Sequence, residues 1–197
     1  MIDASSYIMK ALGAKDALNL DDRGSSALYL NGSYKMSMKK SYKAGISFGL
    51  VSGVLTTLGL LIGLGVSTQS KAAVIGGILT IAIADALSDS FGVHLSQESS
   101  GDNTPKQVWE ATFATFISKF LFALTFLAPI LLFDMKLALI VSVIWGLILI
   151  SVLSVLISND EEGNNGGKAA VLSEHLSLFL LITASSYLVG FLIEKYI

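Results

Sequence analysis

GGILTIAIADALSDSFGVHLSQES, residues 76–99, decides how this chain is read. The first half is apolar enough to enter a bilayer, yet Asp85 and Asp89 lie within it. A carboxylate at membrane depth costs roughly 2.5–3.5 kcal/mol on insertion scales and is retained for ion, proton or substrate handling. Spacing of i and i+4 sets both carboxylates on one helix face, with Cβ atoms about 6 Å apart. They are close enough to share one cation or one proton. Asp85, Ser88, Asp89, Gly92 and Ser96 fall on a single small, polar stripe, with Thr80 about half a turn away.

The surrounding chain is that of a membrane protein. Charged residues make up 14% of it, against roughly 25% in soluble domains, and the mean hydropathy is +0.69. Residues 44–70, 120–133, 137–159 and 176–193 contain no Lys, Arg, Asp, Glu or His. With 72–97 they give five candidate spans, at 45–66, 72–97, 108–133, 136–158 and 169–193, each near the roughly 20 residues a crossing needs. The expected fold class is therefore all-α, a five-helix transmembrane domain over 43–197 preceded by an N-terminal cytoplasmic segment over 1–42. The net charge of −2 and the lack of a basic stripe exclude nucleic-acid binding as an expectation. The chain has no cysteine, hence no disulfide or thiolate metal site. No nucleophile–base pair, His cluster or phosphate loop stands out, so no enzyme and no cofactor are expected.

Lys35, Lys39, Lys40 and Lys43 precede the first span and place the N-terminus in the cytoplasm, and five crossings then put the C-terminus outside or in a lumen. Residues 1–40 lack the apolar core of roughly 7–15 residues that marks a secretory signal. Ile8, Met9, Leu12 and Leu18 recur at near-helical spacing, which reads either as a short amphipathic helix over 4–20 or as part of a disordered tail. Residues 21–34 have the composition of a flexible connection, and the Gly-rich stretch 159–167 that of a solvated loop.

Other polar residues qualify the picture. Lys119, well inside the third span, is positioned to pair with one of the aspartates, and such a pair can be purely structural. His94, Glu98 and Glu110, with Glu174 and His175, lie near inner span ends, where they either collect cations or face headgroups. Gly45, Gly49 and Gly53, then Gly59 and Gly63, repeat at four-residue spacing, a pattern that lets helices approach closely and suits a homodimer axis. Pro129 is expected to kink the third span.

FGLVSGVLTTLGLLIGL (48–64), the stretch 76–99, ATFATFISKFLFALTFLAPIL (111–131) and SSYLVGFLIEK (185–195) together resemble the vacuolar iron transporter family over about residues 43–195, in span order, length and small-residue pattern. The resemblance implies a homodimer of five-span subunits moving ferrous iron or manganese out of the cytosol in exchange for protons, with the first helices lining the path. This chain departs from the family's pattern. Ser52 before Gly53 stands where the family has an Asp, Asp89 where it has a metal-binding Met, Val93 where it has a Glu, and Asp85 where a small residue is usual. The carboxylates have moved from the first helix to the second, toward an all-oxygen site. The link 97–107 also lacks the Glu-rich metal-binding extension, as in nodulin-like members. The metal-site residues expected are Asp85, Asp89, Ser52, Ser88, His94, Glu98 and Glu110, with the divalent metal as substrate and protons competing for the same carboxylates. The alternative is a non-transporting membrane scaffold held by an intramembrane Asp–Lys119 pair.

Overall fold

The computed structural model describes residues 28–30, 33–35, 40–101, 103–158 and 165–197. Apart from a small hairpin, the described chain is helical. Helix α1 spans Lys40–Thr68; α2 spans Lys71–Thr80 and continues through a π-helical turn, Ile81–Asp85, into α3, Ala86–Ser99. Helix α4, Pro105–Thr125, is followed by α5, Leu127–Leu132, then α6, Met135–Ser158, and α7, Asn165–Tyr196. Five of the resulting helical rods are long and apolar enough to cross a membrane: Ser41–Thr68, Lys71–Ser99, Pro105–Leu132, Met135–Val155 and Leu172–Tyr196. Helices are the natural outcome for such segments, because hydrocarbon offers no partner to a free backbone N–H or C=O.

The five spans stand where the uncharged stretches put them, and the helices run a few residues further at most ends. Helix α7 already includes Asn165–Gly167, part of the stretch expected as loop. Largely within 21–34, expected as a flexible connection, Leu28–Leu30 and Ser33–Lys35 form an antiparallel hairpin, β1 and β2, with Tyr29 opposite Tyr34. The intervening Asn31-Gly32 is a dipeptide favoured in two-residue hairpin connections. The amphipathic helix expected over 4–20 lies outside the described residues.

Local chemistry explains the breaks between rods. Gln69 takes a left-handed φ of 51° in the tight turn after α1, and Ser70 Oγ caps α2 by accepting from Ala73 N at 3.3 Å. Thr104 and Gln107 form a reciprocal capping box at the start of α4, with Pro105 in the first turn. Pro129 cannot donate to the carbonyl of Thr125, and the helix is interrupted at Phe126, between α4 and α5. Trp145 Nε1 reaches this break and donates to Thr125 Oγ1 at 3.0 Å.

Helix α1 is the hub, packing on α4, α7, α6 and α2. Its Val54, Leu58, Leu61 and Val66 join Ile78, Phe126, Ile130, Ala138, Ile150 and Phe179 in the buried apolar core. The glycine stripe lies inside this packing. A Cβ on Gly45 would strike Ala111 O, one on Gly49 would strike Ser118 Oγ and Thr115 O, and one on Gly53 would lie 3.1 Å from Lys119 Cα. Gly59 and Gly63 face Ser186 of α7. The close approach signalled by these glycines is therefore to the chain's own third and fifth spans, a correction to the expected dimer axis. Van der Waals contact of this kind substitutes for the hydrophobic drive that lipid removes. The outer faces carry Phe91, Phe113, Ile117, Leu131, Leu180 and Leu188, all exposed.

Candidate cation site

Three rods meet around one ammonium group. Gly53 lets α1 lie against the backbone of Lys119 on α4, which sets Ser52 beside the lysine side chain. From the second span, the π turn ends at Asp85 and the α helix resumes through Asp89. Turns of this kind insert an extra residue into the helical ladder and recur at functional sites.

Lys119 Nζ lies 2.5 Å from Asp85 Oδ2, contacts Asp89 Oδ2, and donates to Ser52 Oγ at 2.9 Å. Ser52 Oγ in turn donates to Asp89 Oδ2 at 2.5 Å. An ammonium has three hydrogens and no acceptor; two of them are directed at Ser52 and Asp89, and Asp85 adds an ion contact. The two aspartates are not equivalent. Asp89 is hydrogen-bonded to both Lys119 and Ser52, whereas Asp85 Oδ2 makes the ion contact without hydrogen-bond geometry.

Burial and charge define what the cluster can do. The Lys119 side chain is 0% exposed, but those of Asp85 and Asp89 keep 31% and 24% of their surface. Two carboxylates and one ammonium sum to −1 when all are ionised. Beside Asp89 a groove of about 520 Å³ opens, lined by Ala44, Phe48, Ser88, Gly92, Val93, Ser96 and Gln97. Ser88 is exposed on this groove and makes no part of the Lys119 cluster. A cation arriving by the groove would meet the Asp89 carboxylate first, with Asp85, Ser52 and Ser88 as further oxygens. Oxygen donors of this type suit hard or borderline divalent ions.

The other expected residues are dispersed. His94 turns to the α3–α4 face, where Trp109 packs edge-on at 4.7 Å and Nδ1 lies 3.0 Å from Thr112 Oγ1. Since Thr112 Oγ1 donates its hydrogen to Val108 O at 2.7 Å, its oxygen is left to accept from Nδ1–H. This histidine borders a separate pocket of about 350 Å³ with Phe91, Phe113 and Phe116. Glu110 is buried and accepts from Ser41 Oγ at 3.1 Å. Glu98 is exposed near the end of α3, and Glu174 is exposed on α7. His175 Nδ1 lies 2.8 Å from Ser154 Oγ. Among the described residues, no three His, Asp or Glu side chains converge as a metal-binding group. Asp85, Asp89 and Ser52 thus come together, Ser88 adjoins them, and His94, Glu98 and Glu110 stand apart.

Lys119 is the member that spacing alone undervalues, because its place in the sequence suggests a partner to one carboxylate and in the fold it meets both. The neighbours of His94 and Glu110, on other helices, leave no signal in the sequence. Comparison with family models, with characterised proteins and with solved structures finds no match to this chain.

Proposed function

We propose that the chain is a membrane transporter that moves a divalent metal cation out of the cytosol in exchange for protons, with Asp85 and Asp89 as the carboxylates that receive it. The observation that carries this is the incomplete burial of both aspartates, with Asp89 lining a groove, in a protein whose helices are built for a bilayer. A pair kept only for helix register gains nothing from that opening, whereas an ion site requires it. Ferrous iron or manganese is the substrate favoured by the resemblance to vacuolar iron transporters. Protons and metal compete for the same carboxylate oxygens, which is the simplest physical basis for exchange.

A homodimer fits this function. Gly76, Thr80, Ala84, Ser88, Gly92 and Ser96 recur every fourth residue on the exposed side of the second span, and a Cβ on Gly76 or Gly92 would touch nothing within 4 Å. A second copy seated on this small-residue face would wall the groove and keep lipid from the carboxylates.

Uptake into liposomes loaded with a metal-sensitive dye is the decisive experiment. Ferrous iron, manganese, cobalt, zinc and calcium are offered with and without a proton gradient, to wild type and to the Asp85→Asn, Asp89→Asn double variant. Gradient-dependent entry of at least one metal, lost in the variant, is expected. Silence for every metal from intact protein would refute the proposal.

The contact of the buried Lys119 with both aspartates and Ser52 specifically favours a second function, a non-transporting scaffold in which the ion pair fixes helix register. In that case Lys119→Ala destabilises the protein, neutral replacement of both aspartates restores it, and no metal crosses.

A further inference from the structure

We propose that Lys119 is a tethered competitor for the cation seat and thereby sets which ions the site accepts; this rests on the transport function above. The ammonium occupies the place where the two carboxylates and Ser52 converge, which is where an incoming cation would sit. Its backbone cannot withdraw, because Gly53 packs against Lys119 Cα and carbonyl. Cγ also lies against Gly53, so the stem beyond it is the part that can swing.

Charge counting couples the two occupants. With Lys119 seated the cluster carries −1; adding a divalent ion without moving the lysine would make it +1. With the ammonium swung out of the seat toward the groove that Asp89 lines, the divalent ion and two carboxylates left in the seat sum to zero, and the displaced positive charge passes to the open side. Neutrality is the favoured state at membrane depth, so metal on and lysine off belong to one step. A monovalent ion gains no such advantage. It brings only the charge the ammonium already supplies, and it must displace a group held at high effective concentration by its own chain. Lys119 therefore admits divalent ions and rejects sodium or potassium, a selection that needs no third carboxylate.

Mn²⁺ binding to the full chain in lipid nanodiscs, measured by calorimetry, tests this in wild type, Lys119→Met and Lys119→Arg. Removal of the competitor should tighten Mn²⁺ binding roughly tenfold or more, given the size of charge–charge terms at contact distance. Sodium should compete with Mn²⁺ in Lys119→Met and not in wild type. Lys119→Arg should bind more weakly than wild type, since a guanidinium can hold both carboxylates at once. A readout on the unaltered protein accompanies these: modification of Lys119 by an amine-reactive reagent, followed by mass spectrometry, should rise several-fold when Mn²⁺ saturates the site. Unchanged Mn²⁺ affinity in folded Lys119→Met, or unchanged Lys119 reactivity with Mn²⁺ bound, overturns the proposal; if Lys119→Met does not fold, the reactivity of wild type decides. Mn²⁺ bound by wild type and lost in the Asp85→Asn, Asp89→Asn variant, beside unaltered Lys119→Met affinity, sinks this inference and spares the transport function. No Mn²⁺ binding by wild type sinks both.

Discussion

At the scale of single residues, the cluster is governed by how many carboxylates share one lysine. Removing one carboxylate leaves a one-to-one pair, while removing the lysine leaves two like charges facing each other. Breaking a buried pair so that a charge is stranded typically costs about 3–5 kcal/mol. Lys119→Met in metal-free buffer should therefore lose roughly that much stability, whereas Asp85→Asn should lose about 1 kcal/mol or less because Asp89 and Ser52 still hold the ammonium. Asp89→Asn should fall between them, since Asp89 serves two donors. Unfolding in mixed micelles monitored by tryptophan fluorescence gives the order, and an Asp85→Asn loss larger than that of Lys119→Met would contradict the shared-lysine geometry. Part of this site is legible in the sequence. The i, i+4 spacing fixes the shared face of Asp85 and Asp89, and Lys119 is the obvious intramembrane cation. Simple helix arithmetic also separates two of the other candidates. His94 is five residues past Asp89, about 140° off its stripe, and Glu110 is nine residues before Lys119, about 13 Å along the axis. What no spacing rule supplies is the partner on another rod: Ser41 for Glu110, or Thr112 and Trp109 for His94.

At the scale of elements, apolar length is enough to find five spans, because a bilayer leaves a long apolar segment no alternative to helix. The break near Pro129 is legible for an equally direct reason, a missing donor. The π turn at Ile81–Asp85 is not, since nothing in IAIAD departs from ordinary helix-compatible composition and the extra residue is held by packing on neighbouring rods. Glycine spacing announces close contact and leaves open whose backbone approaches. That ambiguity is intrinsic, because a small residue records the distance of a neighbour and carries nothing about its identity. The structure separates two glycine classes that substitution can test. Gly49→Ala should cost about 1–3 kcal/mol through overpacking against Ser118 and Thr115. Gly76→Leu, with open space around it, should leave the subunit fold intact and instead weaken dimers formed through the exposed stripe. Light scattering of detergent-solubilised protein reads the second effect; a dimer of undiminished strength in Gly76→Leu would remove that face from the interface.

At the scale of the whole molecule, the direction of the proposed transport turns on which side the groove opens to. Its lining runs from Asp89 along Gly92, Val93 and Ser96 to Gln97, and reaches Ala44 near the start of α1. These are the ends of α1 and α3 that share a side with the turn before α4, so the mouth lies on the side of the N-terminal lysines. If the positive-inside tendency holds, that side is the cytosol, and the conformation described is the one that would load a cation from within the cell. The natural absence of cysteine makes the orientation directly measurable, because any introduced thiol is the sole one in the chain. Lys136 lies in the first turn of α6 and Ile197 just past the end of α7, both exposed; Ser100 is exposed in the turn after α3. Cysteines at 136 and 197 should react with a membrane-impermeant maleimide added to intact cells, and cysteine at 100 only after permeabilisation. With that pattern the groove faces the cytosol and metal export accords with its loading side. The reverse pattern would turn the same groove outward, and the proposed transporter would then load its cation from outside and act in uptake.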